Sequence, residues 1–428
     1  MTTQWPAYRL KHLVRPIVDK VTVPAFEGPY IGLEAIKSWT GEIDPDMSEE
    51  TGDSLGNRFR RGDVLFGKLR PYLAKVSAPD FEGHCSGEAL VLRPSSRIHT
   101  RFLRYRLVET GTIDAVNAST YGAKMPRASW DFIGNLRFGM PDRETQKAIA
   151  DFLDRETARI DQLIEKKQRL VQLLREKQKA FAAEEATGAN LPEKSDTGLG
   201  QLPLAPSQWR VRRIAAVFRE SFEMGGENLP VLSVSINWGI SDRELDDEDR
   251  HRIVTHIEDR NAYKRVRVGD LVYNMMRAWQ GAFGVAKVDG LVSPAYVVAR
   301  PSEEIHAPFF EHLLRTPMWI EEFRRSSKGI ADFRQRLYWE HFRQVGIVLP
   351  PLEVQVEIAN RIAANDAAIE AVLSPIRVSI DRLKEFRSTL ITAAVTGQID
   401  VKTWGAQGQT DRRLDQIEED MTRQEACA

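Results

Sequence analysis

The sequence predicts an α+β protein built from one unit used twice: two mixed α/β domains joined by two long antiparallel coiled-coil helices, with an internal pseudo-two-fold repeat. Three observations lead there. The phrase "RRGDVLFGKLRPYLAKV" at residues 60–76 returns 207 residues later as "RVGDLVYNMMRAWQGAFGV", matching Gly62-Asp63 with Gly269-Asp270, Arg70 with Arg277 and Tyr72 with Trp279. Between Asp142 and Thr187 there is neither Gly nor Pro, and apolar residues recur at a four-three spacing. Short β-prone runs such as "DVLFGKL", "ALVLRP", "DLVYNMM" and "AYVVARP" are bounded by Gly, Pro and Asp, as strands are.

The repeat sets the boundaries. A first mixed domain spans 1–141, a long helix 142–187, a polar linker 188–207, a second mixed domain 208–350, a second long helix 351–397 and a polar tail 398–428. The offset of 207 holds through Arg93-Pro94 with Arg300-Pro301 and Ile98-His99 with Ile305-His306. Two residues then enter the second copy, and an offset of 209 carries Trp130 onto Trp339 and Thr187-Gly188 onto Thr396-Gly397. Inside each mixed domain, "RFLRYRLVET" and "FFEHLLRTPMWIEEFRR" have amphipathic helical spacing.

The first long helix carries a seam at Ile149, Leu153, Glu156, Ile160, Leu163, Lys167, Leu170, Leu174, Lys177 and Phe181. Shifted by 209, the second carries Ile358, Ile362, Asn365, Ile369, Val372, Ile376, Ser379, Leu383, Phe386 and Leu390. Matched seams bury themselves by packing on each other, and antiparallel pairing gives the approximate two-fold by which like units most often associate. Pro375 removes a backbone donor within the second helix, so a kink or restart is expected near Ser374.

Composition narrows the function classes. With 428 residues, 42% hydrophobic and 28% charged, the chain has material for two to three soluble domains. It has no apolar run of membrane-spanning length and no signal-peptide pattern near Met1, so a cytoplasmic location is expected. Its two cysteines, Cys85 and Cys427, offer no zinc spacing, and Cys85 reads as a small buried hydrophobe. Gly62 and Gly67-Lys68 have the spacing that opens a nucleotide-binding P-loop. However, Leu69 stands where a magnesium-binding hydroxyl is needed, Pro71 falls in the required helix turn, and the second copy has Asn274-Met275. A strand running into a turn fits better.

The formal net charge is −1, but basic residues are concentrated. Arg58, Arg60, Arg61, Lys68, Arg70 and Lys75 crowd one segment; Arg324, Arg325, Lys328, Arg334, Arg336 and Arg343 crowd another. Both copies place aromatic residues nearby: Tyr72, Tyr121, Trp279 and Tyr338. A solvated face is the common reading of any one charge run, but basic loops with aromatic tips in both copies point to nucleic acid. The candidate DNA-binding residues are Lys68, Arg70, Tyr72, Lys124 and Arg127 in the first copy, and Arg277, Trp279, Lys328, Arg334 and Arg336 in the second. Arg70 and Arg277 share a repeat position and would equally serve as framework contacts; Trp279 would equally serve as core.

The run "MPDRETQKAIADFLDRETARIDQLIEKKQRLVQLLREKQKAFAAEEATG" and its partner "LPPLEVQVEIANRIAANDAAIEAVLSPIRVSIDRLKEFRSTLITAAVTGQID" resemble the spacer helices of type I restriction-modification specificity subunits. "RRGDVLFGKLRPYLAKV" resembles a phrase of their target-recognition domains, and the likeness covers about residues 1 to 400. A Met-Pro or Pro-Pro exit, a Glu-x-Gln spacing, a long seam and a closing Thr-Gly, each present twice, carry it. Met140-Pro141-Asp142 departs from the commoner Pro-Pro of the second copy, Pro350-Pro351, and "NMMRAWQGAFG" departs from "GKLRPYL". The resemblance implies a non-catalytic subunit that binds bipartite double-stranded DNA, one half-site per mixed domain. It also implies docking of two methyltransferase subunits and of restriction/translocase subunits. S-adenosylmethionine, ATP and Mg would then be bound by those partners, with no cofactor in this chain. Two rival readings remain from residues alone: a two-headed coiled-coil interaction protein without DNA binding, and a nucleotide hydrolase using Gly62 to Lys68.

Overall fold

Each mixed domain begins by pairing its first strand with its last. Ala7–Arg9 runs antiparallel to Arg137–Gly139, and Arg210–Arg213 runs antiparallel to Gly346–Leu349. The computed structural model describes residues 5–22, 28–44, 55–122, 124–226, 229–244, 260–302, 305–329 and 335–427. A four-stranded antiparallel sheet follows in the order Val14–Ile17, Ala89–Pro94, Val64–Gly67, Val76–Ser77. The second copy repeats it as Phe218–Ser221, Tyr296–Pro301, Leu271–Asn274, Phe283–Val285. Both "DVLFGKL" and "DLVYNMM" are therefore central strands, buried on both faces, which is why they read as continuous apolar runs rather than alternating ones.

The Gly-Asp phrase has a duty that both copies keep. Gly62 and Gly269 turn with φ of 91° and 88°, a conformation costly for residues with a Cβ. The aspartate that follows accepts the backbone N–H of Arg60 or Arg267, both at 2.9 Å. It also forks with an arginine on the neighbouring strand: Asp63 with Arg93 at 2.7 Å, Asp270 with Arg300 at 3.0 Å. Both carboxylates are buried, so the bidentate partner is what makes their burial tolerable.

The helix motifs are equally concrete. Gln146 and Gln355, fully buried, accept the backbone N–H of His99 (2.8 Å) and His306 (2.9 Å) and donate to the carbonyls of Pro141 and Pro350, both at 2.9 Å. Each thereby ties a long helix to the domain before it. At the far ends, Thr187 and Thr396 donate to carbonyls one turn back, and Ala189 and Gln398 donate to Glu184 and Ala393, both at 2.9 Å. That six-to-one bond closes a helix over a left-handed residue, here Gly188 (φ 64°) and Gly397 (φ 75°).

The long helices are Arg143–Thr187 and Leu352–Val395. The chain divides into two units, Met1–Leu170 with Ser374–Ala428, and Val171–Leu373, each holding one mixed domain and parts of both helices. Within the second unit Arg175 pairs with Glu370, Gln178 with Asp366 and Arg361 with Glu185, so one helix ascends in number as the other descends. In the first unit Arg387 forks onto Asp161 at 2.8 and 3.0 Å, and Leu153 and Ile160 share a core with Leu383 and Leu390. The pairing is antiparallel. Seam burial is uneven: Ile149, Leu153 and Ile160 are closed off together with mixed-domain side chains, whereas Leu170 and Val372 remain 44% and 41% exposed. Ile369 and Ile376 are buried as well, outside both of the mixed-domain cores.

Three segments need comment beside the sequence reading. The second helix continues through Pro375 without restarting. Within 188–207, read as a linker, Lys194–Leu199 pairs with Leu202–Pro206 as a hairpin. Residues after Gln398, read as a polar tail or a frayed helix without a role, form helices Val401–Ala406 and Gln409–Cys427 that pack on the first unit. Val401, Leu414 and Ile417 enter the core of the first unit, and Lys167 and Arg382 pair with Glu418 and Asp420. Two buried apolar residues, Leu414 and Ile417, among those described on a 19-residue acidic helix are too sparse a stripe to show in the sequence.

Candidate nucleic-acid interface

In the first mixed domain the strand Val64–Gly67 ends in a turn rather than a phosphate-binding helix. Arg70 is held left-handed (φ 50°, ψ 61°) at the entry to the short helical turn Pro71–Leu73. A residue with a Cβ loses about 1 to 2 kcal/mol in that conformation. What holds Arg70 there is the neighbouring loop, because its N–H donates to the Pro126 carbonyl at 2.8 Å.

That loop is the polar stretch from Ser119 to Ser129. Tyr121 and Arg127 exchange backbone bonds of 3.0 and 3.1 Å across its neck, and Ala128 donates to the Lys68 carbonyl at 2.9 Å. Lys68, Arg70, Tyr72, Lys124 and Arg127 are thus gathered on two laced loops. Tyr72 and Tyr121 are 46% and 64% exposed, and Lys124 and Arg70 are exposed beside them. Arg127 differs from the rest: its guanidinium lies against Glu88, with Nε at 3.1 and 3.2 Å and Nη2 at 3.1 Å from the carboxylate oxygens. That hydrogen bond, with the carboxylate charge behind it, raises the Arg127 pKa.

The second domain repeats the lacing with other side chains. Leu337 donates to the Met275 carbonyl at 2.9 Å, the repeat of Ala128 on Lys68. Lys328 and Arg336 exchange backbone bonds of 2.9 Å, the repeat of Tyr121 and Arg127. The first neck sits at an offset of 207 on one side and 209 on the other, so the two extra residues lie within this loop. Lys328, Arg336 and Tyr338 are exposed; Arg277 and Trp279 are half-buried on the preceding turn. The Trp279 indole N–H donates to the Met276 carbonyl at 3.0 Å, so this ring braces the turn. Arg334 lies outside the described residues.

Among the described residues no group of three His, Cys, Asp or Glu side chains could hold a metal, and no helix is long and apolar enough to cross a membrane. Cys85 is buried, and burial pushes its thiol up to about 12, far from a reactive thiolate. Glu88 escaped the sequence reading because it is one acid in a strand entry, 39 residues from the arginine it holds. The available signal was its repeat mate, Ala295, which breaks the charge pattern between the copies.

No family model matches the chain. It is 23% identical over 327 residues to the type I restriction enzyme EcoBI specificity subunit of Escherichia coli, covering 73% of this chain and 68% of the relative. It is 36% identical over 88 residues to the EcoDI specificity subunit of the same organism, a match spanning 20% of this chain and 19% of that one. In fold it superposes on a solved chain from a study of complex assembly and conformational transition of a type I restriction-modification system. The TM-score is 0.59 at 19% identity, with 93% of this chain and 100% of the other covered. Sequence and fold point the same way: in sequence the chain resembles the specificity subunits of type I restriction enzymes, and in fold a chain from a type I restriction-modification system.

Proposed function

We propose that this chain is the DNA sequence-specificity subunit of a type I restriction-modification enzyme. It binds a bipartite asymmetric duplex target, one half-site per mixed domain, docks two methyltransferase subunits and restriction/translocase subunits, and works in the cytoplasm. S-adenosylmethionine, ATP and Mg belong to those partners in this reading. The observation that carries it is the pair of laced loops, built twice on the same backbone bonds while displaying different exposed basic and aromatic side chains. One framework with two sets of side chains suits two different half-sites, because base edges are distinguished by side-chain donors, acceptors and stacking faces.

Base reading divides accordingly between Lys68, Arg70, Tyr72, Lys124 and Arg127, and Arg277, Trp279, Lys328, Arg334 and Arg336. Co-expression with methyltransferase subunits and methylome sequencing tests the reading. The expected result is adenine methylation at one two-part sequence with a fixed gap. Methylation without sequence preference, or a chain that assembles but never engages DNA, would favour the two-headed interaction protein instead. Isothermal titration of the isolated chain should show binding of neither ATP nor S-adenosylmethionine, since its Gly67-Lys68 ends a strand.

A further inference from the structure

We propose that Glu88 is a positioning residue that fixes the Arg127 guanidinium for two-point contact with a single base in the half-site read by the first mixed domain; this rests on the function proposed above. A guanidinium carries five N–H donors in a planar fork. In Arg127 the edge formed by Nε and Nη2 faces both Glu88 oxygens at 3.1 to 3.2 Å, while Nη1 has no hydrogen-bond partner among the described residues. The edge left over is the end-on pair of Nη1 and the outer Nη2 hydrogen. That pair matches the two acceptors, O6 and N7, that guanine presents in the major groove.

The Glu88 backbone is itself held in place. Its N–H donates to Ser86 Oγ at 3.2 Å, its carbonyl accepts the Lys68 N–H at 3.0 Å, and the Arg127 backbone is fixed by Tyr121. Both ends of the ion pair are therefore tied to the strand turn and the loop neck. The pair is about one-third exposed, so it lies at a wet surface where a ligand can reach it. The second domain lacks the device. Ala295 stands at the repeat position, its N–H making the same turn bond to Ser293 Oγ at 3.3 Å, and Arg336 forms no ion pair with a described residue. Arg127 is braced by a carboxylate, whereas Arg336 has no such brace among the described residues.

The test uses the full chain assembled with its methyltransferase subunits, on duplexes in which each base pair of both half-sites is changed in turn, at several salt concentrations. Glu88→Gln keeps the shape and removes the charge; Glu88→Asp keeps the charge and draws the carboxylate back by one methylene. Both variants are expected to lose about 5- to 150-fold of discrimination at one base pair of one half-site. Discrimination at every other position, and the melting temperature, should stay as in the parent. Arg127→Ala should lose discrimination at that same base pair. Uniform tightening of every duplex by Glu88→Gln, with Glu88→Asp unchanged, would show that the carboxylate acts only as countercharge and would overturn the proposal. Unchanged discrimination in both variants would overturn it too, leaving the specificity role intact. A parent complex without any base preference would remove that role and this inference together.

Discussion

At the scale of single residues, the two copies agree where a buried charge has to be matched and differ where a side chain meets solvent. Asp63 with Arg93 and Asp270 with Arg300 are the same fork in both domains, and each aspartate also closes the turn before it. Replacing either aspartate by alanine leaves an arginine short of its partner and a turn N–H unsatisfied. The expected cost is about 3 kcal/mol, at the lower end for a broken buried pair because both arginines keep some access to water. Chemical denaturation of Asp63→Ala and Asp270→Ala checks it. Histidines give a pH signature. Burial lowers the pKa of His99, His306 and His312, and Arg101 and Arg143 push His99 further in the same direction. The unfolded chain therefore takes up protons first as pH falls. The stability these groups contribute is fully present above about pH 6.5 and is lost as the pH drops through their lowered folded values. Melting temperatures followed from pH 7.5 to 5 should decline, and less steeply in His99→Gln with His306→Gln.

At the scale of elements, most of the fold was legible because the features that announce it are backbone and packing requirements. Gly62 and Gly269 mark turns, the apolar runs are central strands, and the doubled Gln marks a helix tied to the domain before it. Gln146→Ala and Gln355→Ala each remove bonds to a buried N–H and a buried proline carbonyl. A loss of about 2 to 3 kcal/mol is expected for each by denaturation, with the long helices retained by circular dichroism. What was illegible has a common physical cause. The C-terminal helices are held by few apolar residues and by ion pairs to positions some 250 residues away, which no local pattern announces. Glu88 is hidden in the same way, since its meaning lies in a partner on another loop. For the candidate readers, the sequence placed them on turns and loops but could not show that Trp279 braces a turn or that Arg127 has a carboxylate partner.

At the scale of the whole molecule, the helices are expected to set the gap between half-sites. Removing one heptad from each long helix takes out about 10 Å of helix, equivalent to about three base pairs at 3.4 Å. Methylome sequencing of such a variant should report both half-sites unchanged and a gap shorter by about that amount. A changed half-site with an unchanged gap would mean that the helices do not act as the ruler. The lacing of the loops also bears on the history such a protein can have. Its ties run from main chain to main chain: Tyr121 with Arg127, Ala128 to Lys68, Lys328 with Arg336, Leu337 to Met275. Bonds of that kind are indifferent to the side chains they carry, and the second loop has already absorbed two extra residues without losing them. A lineage can therefore rewrite the text between the anchors one letter at a time, acquiring a new vocabulary while the grammar that keeps the molecule folded stays as it was.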